Sequence, residues 1–242
     1  NQPIFSLAWW KQGQYLIEGG RGSSCAIHIR QWNQKDCTSK DHGKIIKTLK
    51  GHNRSVYMLL VDESNDQMLS SSQDKTIRLW NLNTGQQIKK FNAHASAVFG
   101  LCKVDKNVFV SAGHDKSIKF WNVASDTCIH IINNAHWVWP LLYSASNQVL
   151  ISAGGDWTVN VWDLKMGEAN KKIDKCTKKF TINNPFNITC RSLAFLDGEN
   201  DGSRVLVGDS GGNMFIVNVK SGTHINRFEK IHSSTISNFV LD

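Results

Sequence analysis

The sequence predicts an all-β protein assembled from four-stranded antiparallel units written one after another. Two observations carry that prediction, a period and the grammar inside it. Trp80, Trp121 and Trp162 stand 41 residues apart, and Asp74, Asp115 and Asp156 keep the same interval, each six residues ahead of its Trp. His52, His94 and His136 recur every 42 residues, behind Gly51, Ala93 and Ala135. Three residue types holding one period mark a repeat, in which a supersecondary unit is copied and neighbours bury each other's apolar faces.

Each unit reads the same way along the chain. An apolar run follows the His (SVYMLLV, AVFGLCKV, VWPLLYS), then a polar turn (DESNDQ, DKN, ASNQ) and a second run (MLSSS, VFVSAG, VLISAG). The Asp turn comes next, then an alternating run that ends at Trp (TIRLW, SIKFW, TVNVW). A Gly or Asp turn (NLNTGQ, NVASDT) leads into a last run (QIKKF, CIHII). Short β-rich runs bounded by turn residues are strands, so each unit reads as a four-stranded meander. No window keeps apolar residues at helical spacing for two turns.

With Gly-His at the start, Asp in a turn and Trp-Asn or Trp-Asp near the end, these residues resemble WD-repeat β-propellers. The match is strongest over Gly51–Leu164. Upstream, PIFSLAWW, QYLIEGG, AIHIRQW and KIIKTL look like a degenerate blade with Trp32 in its third strand, Ala26 where the Asp belongs, and NQKDCTSKDHG as a surface loop. Downstream, ITCRSLAF, RVLVGDSGG, NMFIVNV and HINRF look like a fifth blade with Val217-Asn218 for Trp-Asp. There Gly211 occupies the Asp position and Asp209 falls two residues early. IHSSTISNFVLD, with His232 aligned to His136, matches a further first strand. The predicted fold is thus an all-β propeller of antiparallel WD-repeat blades in one domain over 1–242. Its blades span about 3–50, 51–92, 93–134, 135–175 and 176–230, with 231–242 as the first strand of another. Both ends fall at first strands, so strand exchange cannot close a ring. The expectation is part of a seven-bladed propeller, the usual number in the family, lacking about 70 residues or more.

Each central unit also offers Ser, His and Asp, with Ser70, Ser111 and Ser152 four residues before the Asp. A hydrolase needs such a triad once, with its Ser exposed on a strained turn beside oxyanion donors. Here it occurs three times and each Ser lies mid-strand. The resemblance implies a structural role instead: buried hydrogen-bond chains Trp80–Ser70–Asp74–His52, Trp121–Ser111–Asp115–His94 and Trp162–Ser152–Asp156–His136. Buried polar groups persist when paired, and Trp, Ser and His supply donors to the Asp.

Function is then expected in what differs between copies. The resemblance implies a docking face built by the loops before each first strand and by the Asp turns. Reading three and five residues after each His, and directly before each Asp, selects Ser55, Tyr57 and Gln73, then Ala97, Phe99 and His114, then Trp139, Leu141 and Gly155. Trp157 follows its Asp where the other copies have Lys75 and Lys116, and Trp137 adds a further ring. Aromatic anchors are what protein-interface hot spots are made of. A second candidate is KKIDKCTKK, where Lys171, Lys172, Lys175, Lys178 and Lys179 cluster at the expected junction of the fourth and fifth blades. It reads as a solvated loop or as a contact for an acidic partner or nucleic acid.

The remaining composition narrows the classes. Hydrophobic residues make up 40% and charged residues 20% of the 242, which suits a globular core. The net charge of +8 permits an acidic partner without demanding one, because Lys and Arg are scattered. Six cysteines (Cys25, Cys37, Cys102, Cys128, Cys176, Cys190) contain no CxxC pair and read as reduced thiols of an intracellular protein. No apolar run approaches the roughly 18 residues that span a bilayer, and no targeting peptide is visible. The expected activity is a non-catalytic scaffold in the cytoplasm or nucleus, holding other proteins in a larger complex. No cofactor, metal, small-molecule substrate or membrane insertion is expected. The alternatives are a substrate receptor of a ubiquitin ligase and an RNA- or ribonucleoprotein-associated propeller. Against one type of receptor, the blade ends read WNLN, WNVA and WDLK, without the Trp-Asp-x-Arg that type carries.

Overall fold

A computed structural model describes residues 3–21, 25–32, 43–134, 136–167, 173–196, 202–237 and 239. Among them the chain forms five four-stranded antiparallel sheets, and the only helical piece is a single 3-10 turn at Glu63–Asn65. The first sheet holds β1 (Ile4–Trp10), β2 (Tyr15–Gly20), β3 (Ile27–Gln31) and β4 (Ile45–Leu49). The second holds β5 (Val56–Asp62), β6 (Gln67–Ser72), β7 (Thr76–Asn81) and β8 (Gln87–Asn92). In the third are β9 (Val98–Lys103), β10 (Val108–Gly113), β11 (Ser117–Asn122) and β12 (Thr127–Asn133). The fourth takes β13 (Val138–Ser144), β14 (Val149–Gly154), β15 (Thr158–Met166) and β16 (Ile173–Asn183). The fifth takes β17 (Cys190–Phe195), β18 (Arg204–Asp209), β19 (Met214–Asn218) and β20 (Thr223–Phe228). In every sheet the strands lie side by side in chain order, the meander that short turns between consecutive runs dictate.

The chain divides into two compact units, Asn1–Leu101 and Cys102–Asp242. In the first, Trp10, Ile17, Ile27, Ile29 and Leu49 of the first sheet bury against Val56, Leu59, Met68, Trp80 and Leu82 of the second. In the second unit the fourth sheet is covered on both faces. Val149, Ile151 and Ala153 of β14 meet Val205, Val207, Phe215 and Val217 of the fifth sheet. Leu150, with Trp162 and Leu164, meets Val110, Ile118 and Phe120 of the third. A strand buried on both faces has no solvent side to show, which is why VLISAG carries one polar side chain, Ser152, and that one is hydrogen-bonded. The outer strands are the reverse: Thr223–Arg227 of β20 is exposed throughout.

Two irregularities recur. Each third strand slips against its fourth near its end, at Leu79/Trp80, Phe120/Trp121, Val161/Trp162 and Ile216/Val217. First strands slip near their start, between Ile4 and Ser6, Val56 and Met58, Val138 and Leu141, and Cys190 and Ser192. A bulge of this kind frees a side chain from the pleat and re-aims it.

The boundary expected at 175/176 falls inside β16, where Trp162 faces Lys178 and Val161 faces Phe180. From Ile173 on, the lysine run is therefore an outer strand rather than a junction loop. Its odd charge pattern has a simple cause, since Lys175, Lys178 and Lys179 are all exposed at the sheet's edge. Lys171 and Lys172 lie outside the described residues. Trp32 falls one residue after β3 and meets Trp9 edge-on at 5.6 Å. The segment 231–237 carries no strand, yet it is anchored: the His232 N–H donates to the Gly212 carbonyl (3.2 Å) and Ile236 is buried. Gly212 has φ +82, and a Cβ there would stand 2.0 Å from the His232 carbonyl oxygen, so glycine is required.

Candidate functional site

The repeated polar residues build a buried network, most complete in the second sheet. Trp80 faces Met68 across β6 and β7, which puts Ser70 diagonally on the same face. Trp80 Nε1–H donates to Ser70 Oγ (2.8 Å), Ser70 Oγ lies 2.7 Å from His52 Nε2, and His52 Nδ1 lies 2.8 Å from Asp74 Oδ2. With the proton on Nδ1 every group is satisfied: Trp donates to Ser, Ser to His, His to Asp. Asp74 Oδ1 also accepts the Thr76 hydroxyl (2.6 Å) and the Thr76 N–H (3.0 Å). Burial by itself would raise the Asp74 pKa. The hydrogen bonds from His52 and Thr76 outweigh it and hold this carboxyl well below the usual carboxylate range.

These are the distances of a catalytic triad, and burial decides against that use. Ser70 is fully buried and His52 is 4% exposed. The Ser70 oxygen already accepts the Trp80 N–H, so no substrate carbonyl can approach it.

In the third sheet Trp121 Nε1–H donates to Ser111 Oγ (2.9 Å), and Asp115 Oδ1 accepts the Ser117 hydroxyl (2.8 Å). His94 is buried, and its N–H donates to the Lys75 carbonyl (3.2 Å). The fourth sheet keeps the first half only. Trp162 Nε1–H donates to Ser152 Oγ (2.9 Å), whereas Asp156 accepts the Thr158 N–H (3.3 Å) and the Thr158 hydroxyl is turned to Asn160.

His136 does not join this set. It is exposed, and its imidazole hydrogen-bonds to none of the described residues. The reason is register. His52 and His94 lie four residues before Val56 and Val98, but His136 lies two before Val138. The residue four before Val138 is Asn134, and its N–H donates to the Lys116 carbonyl (2.8 Å) as His94 does to Lys75. The same station is filled by Asn184, bonded to the Trp157 carbonyl (2.6 Å), and by His232, bonded to Gly212. Asn184 Nδ2–H reaches the buried Asp209 (3.3 Å), whose carboxylate also accepts the N–H groups of Gly211 (2.8 Å) and Asn213 (2.9 Å). The fifth sheet thus has its own Asx network, with the carboxylate two residues earlier and an amide for the imidazole. Matching His to His hides this, while counting back four from the first strand would have found Asn134.

The same register re-sorts the predicted contact positions. Ser55, Phe99 and Leu141 are buried, Tyr57, Gln73, Ala97, Gly155 and Trp139 are half-buried, and His114 is exposed. Phe5, Tyr57, Trp139 and Arg191 all fall in the first-strand bulges, and their side chains meet in short ladders. In the first unit Tyr57 lies 5.4 Å from Phe5 and 5.2 Å from Phe99 between ring centroids. In the second unit His114 stacks on Trp137 (6.5 Å), Trp137 meets Trp139 edge-on (6.3 Å), and the Arg191 guanidinium carbon lies 4.6 Å from the Trp139 ring. The Trp137 ring fits because position 155 is glycine; a Cβ there would come within 2.5 Å of it. Arg191 was invisible to the repeat, because no other copy has a cation at that place.

Trp157 is 50% exposed, and its φ is +60. Lys75 (φ +72) and Lys116 (φ +65) hold the same turn position. Of the described lysines in the basic stretch, Lys178 lies over the Trp162 ring (4.9 Å) and Lys179 faces Asp163 (3.5 Å). Among the described residues no group of three or more His, Cys, Asp and Glu could hold a metal ion. No helix among them is long and apolar enough to cross a membrane.

Five antiparallel meanders, three of them tied by a Trp–Ser bond and carrying an Asp turn, are blades of the WD type. The family model "WD domain, G-beta repeat" matches residues 43–81, 85–122 and 126–163, and the chain belongs to the WD-repeat family. Each match ends beside the repeated Trp of β7, β11 or β15, having begun near the outer strand of the preceding sheet. The chain is similar to pre-mRNA-processing factor 19 of Bos taurus, 37% identical over 62 residues, which are 26% of this chain and 12% of that protein. It is 29% identical over 86 residues to protein HIRA of Zea mays, covering 33% of this chain and 9% of the relative. Against the SAGA complex protein Spt8 of Schizosaccharomyces pombe the identity is 27% over 100 residues, 40% of this chain and 18% of the relative. The chain thus spans about a tenth to a fifth of the length of these curated relatives.

Proposed function

We propose that this chain is a non-catalytic scaffold, a WD-repeat domain that docks protein partners within a larger intracellular assembly. The observation that carries the reading is Trp157. All three copies of this turn hold a non-glycine residue in the left-handed region, at a cost on the order of 1–2 kcal/mol, so what singles out Trp157 is its exposed indole. Trp157 holds φ +60 with half its surface exposed, at a turn position where Lys serves in the other copies. A large exposed indole on a rigid hairpin is the kind of anchor that dominates protein interfaces.

Support also comes from the names of similar proteins, some of which mark components of assemblies, the SAGA complex protein Spt8 among them. Docking partners while Ser70 and its copies stay sealed in the core accounts for why the repeated residues carry no chemistry. The test is affinity purification of the intact protein, wild type against Trp157→Gly. Retention of a stoichiometric protein partner by the wild type, lost in the variant, is the expected result. An intact protein that runs alone as a monomer and shows turnover would overturn the reading. Two narrower forms, a ubiquitin-ligase substrate receptor and an RNA-associated scaffold, are separated by the same purification through the ligase components or RNA that accompany the protein.

A further inference from the structure

Two other half-buried arginines of this protein are tied to oxygen acceptors. Arg30 donates to Glu18 (2.7 Å) and to the Gly43 carbonyl (2.7 Å), and Arg78 donates to Gln87. Arg191 is handled differently. It falls in the β17 bulge, after Cys190, where Tyr57 and Trp139 fall in β5 and β13. Its guanidinium carbon lies 4.6 Å from the Trp139 ring and 5.1 Å from the Trp137 ring. Among the described residues it makes no ion pair and no side-chain hydrogen bond, and its Nε is buried with no acceptor. An arginine held by two indoles and matched by no carboxylate is pre-organised: its rotamer entropy is already spent and its N–H edge is unassigned.

We propose that Arg191, laid across Trp137 and Trp139, is an anion-recognition residue that takes a carboxylate side chain from an acidic segment of a protein partner. The Trp137 and Trp139 rings, set 73° apart, hold the guanidinium at cation–π distance, and no described residue takes its N–H groups, which leaves a fork for a bidentate carboxylate. The same contact argues against a nucleobase, because the guanidinium covers ring surface that a base would need. Around the fork, Trp137, Trp139 and His114 supply the aromatic rim typical of protein interface cores. The chain's net charge of +8 favours an acidic partner over a basic one. This inference rests on the docking role proposed above and names the chemistry of what docks.

The test selects a displayed library of random peptides on the full chain, then measures synthetic copies of the winners by intrinsic tryptophan fluorescence. Selection of Asp- or Glu-bearing peptides is expected. Arg191→Gln should weaken them by at least about tenfold, the range of an interface hot spot. Arg191→Lys, which keeps the charge and loses the fork, should fall between, and Lys178→Gln/Lys179→Gln should leave affinity within about twofold. The lysine variant stands in if Arg191→Gln melts out of its fold. Absence of selected peptides, equal affinity for both Arg191 variants, or loss in the lysine pair instead would overturn the assignment, as would Arg191-dependent binding of poly(U) RNA without acidic-peptide binding. Selected peptides that lack a carboxylate but need Trp139 would overturn Arg191 while leaving the docking role standing.

Discussion

His94 and Asn134 occupy one station in successive repeats. Each lies four residues before its first strand, and each donates its backbone N–H to the carbonyl of the residue after the repeat's Asp, Lys75 at 3.2 Å and Lys116 at 2.8 Å. His136, which shares the sequence period, stands outside this geometry. The two kinds of His should therefore respond differently to truncation. His52→Ala breaks a buried network and is expected to cost about 1–3 kcal/mol. His136→Ala should fall within about 0.5 kcal/mol of wild type, as exposed substitutions do. Thermal melting of the pair checks this.

Ser70 is the hinge of its network, accepting from Trp80 and donating to His52. Ser70→Ala leaves two buried nitrogens without partners and should destabilise by about 1–3 kcal/mol. For a chain of this size that is a fall of roughly 2–4 °C in Tm per kcal/mol. Ser152→Ala should cost less than Ser70→Ala, because among the described residues Ser152 bonds to Trp162 and to no His.

Asp74 adds a pH dependence. A carboxyl whose folded pKa is depressed contributes stability that is complete above its unfolded pKa of about 3.9 and is lost as pH falls toward the folded value. Asp74→Asn should therefore be less stable than wild type at pH 7, with the gap narrowing below about pH 4. Denaturant midpoints at pH 7, 5 and 3 read this directly. A gap that widens on acidification would contradict the assigned bonds from His52 and Thr76.

Cys190 is fully buried, and that burial pushes its thiol up to about 12. Alkylation at pH 8 should reach exposed Cys128 in the native protein and Cys190 only after unfolding. Peptide mapping of the alkylated sites with and without denaturant checks the order.

The fold was legible because its signals are local. Trp80, Trp121 and Trp162 repeat since each must reach a Ser diagonally across one strand pair, and strand alternation fixes that spacing. The site was only half legible. The contact positions at Tyr57 and Trp139 follow from the period, but Ser55 and Phe99, counted from His52 and His94, are buried, and so is Leu141, counted from His136. The loop before β13 starts its strand two residues sooner after that His, and one such slip moves later positions out of register. Asn184 escaped notice because an amide does the work of an imidazole there, and without it Asp209 read only as an Asp two residues early. Arg191 escaped because its meaning lies in two rings from another sheet, which no count along the chain brings beside it.

In the proposed role the repeated residues hold the fold and the varied ones recognise partners. It is tested most directly by measuring Tm and partner retention together in Ser70→Ala and Trp157→Gly. The account predicts a lowered Tm with partners retained below it for Ser70→Ala. For Trp157→Gly, where glycine relieves the left-handed backbone at φ +60, it predicts an unchanged or raised Tm with partners lost. A Trp157→Gly protein that melts early, or that melts normally and keeps every partner, would contradict it.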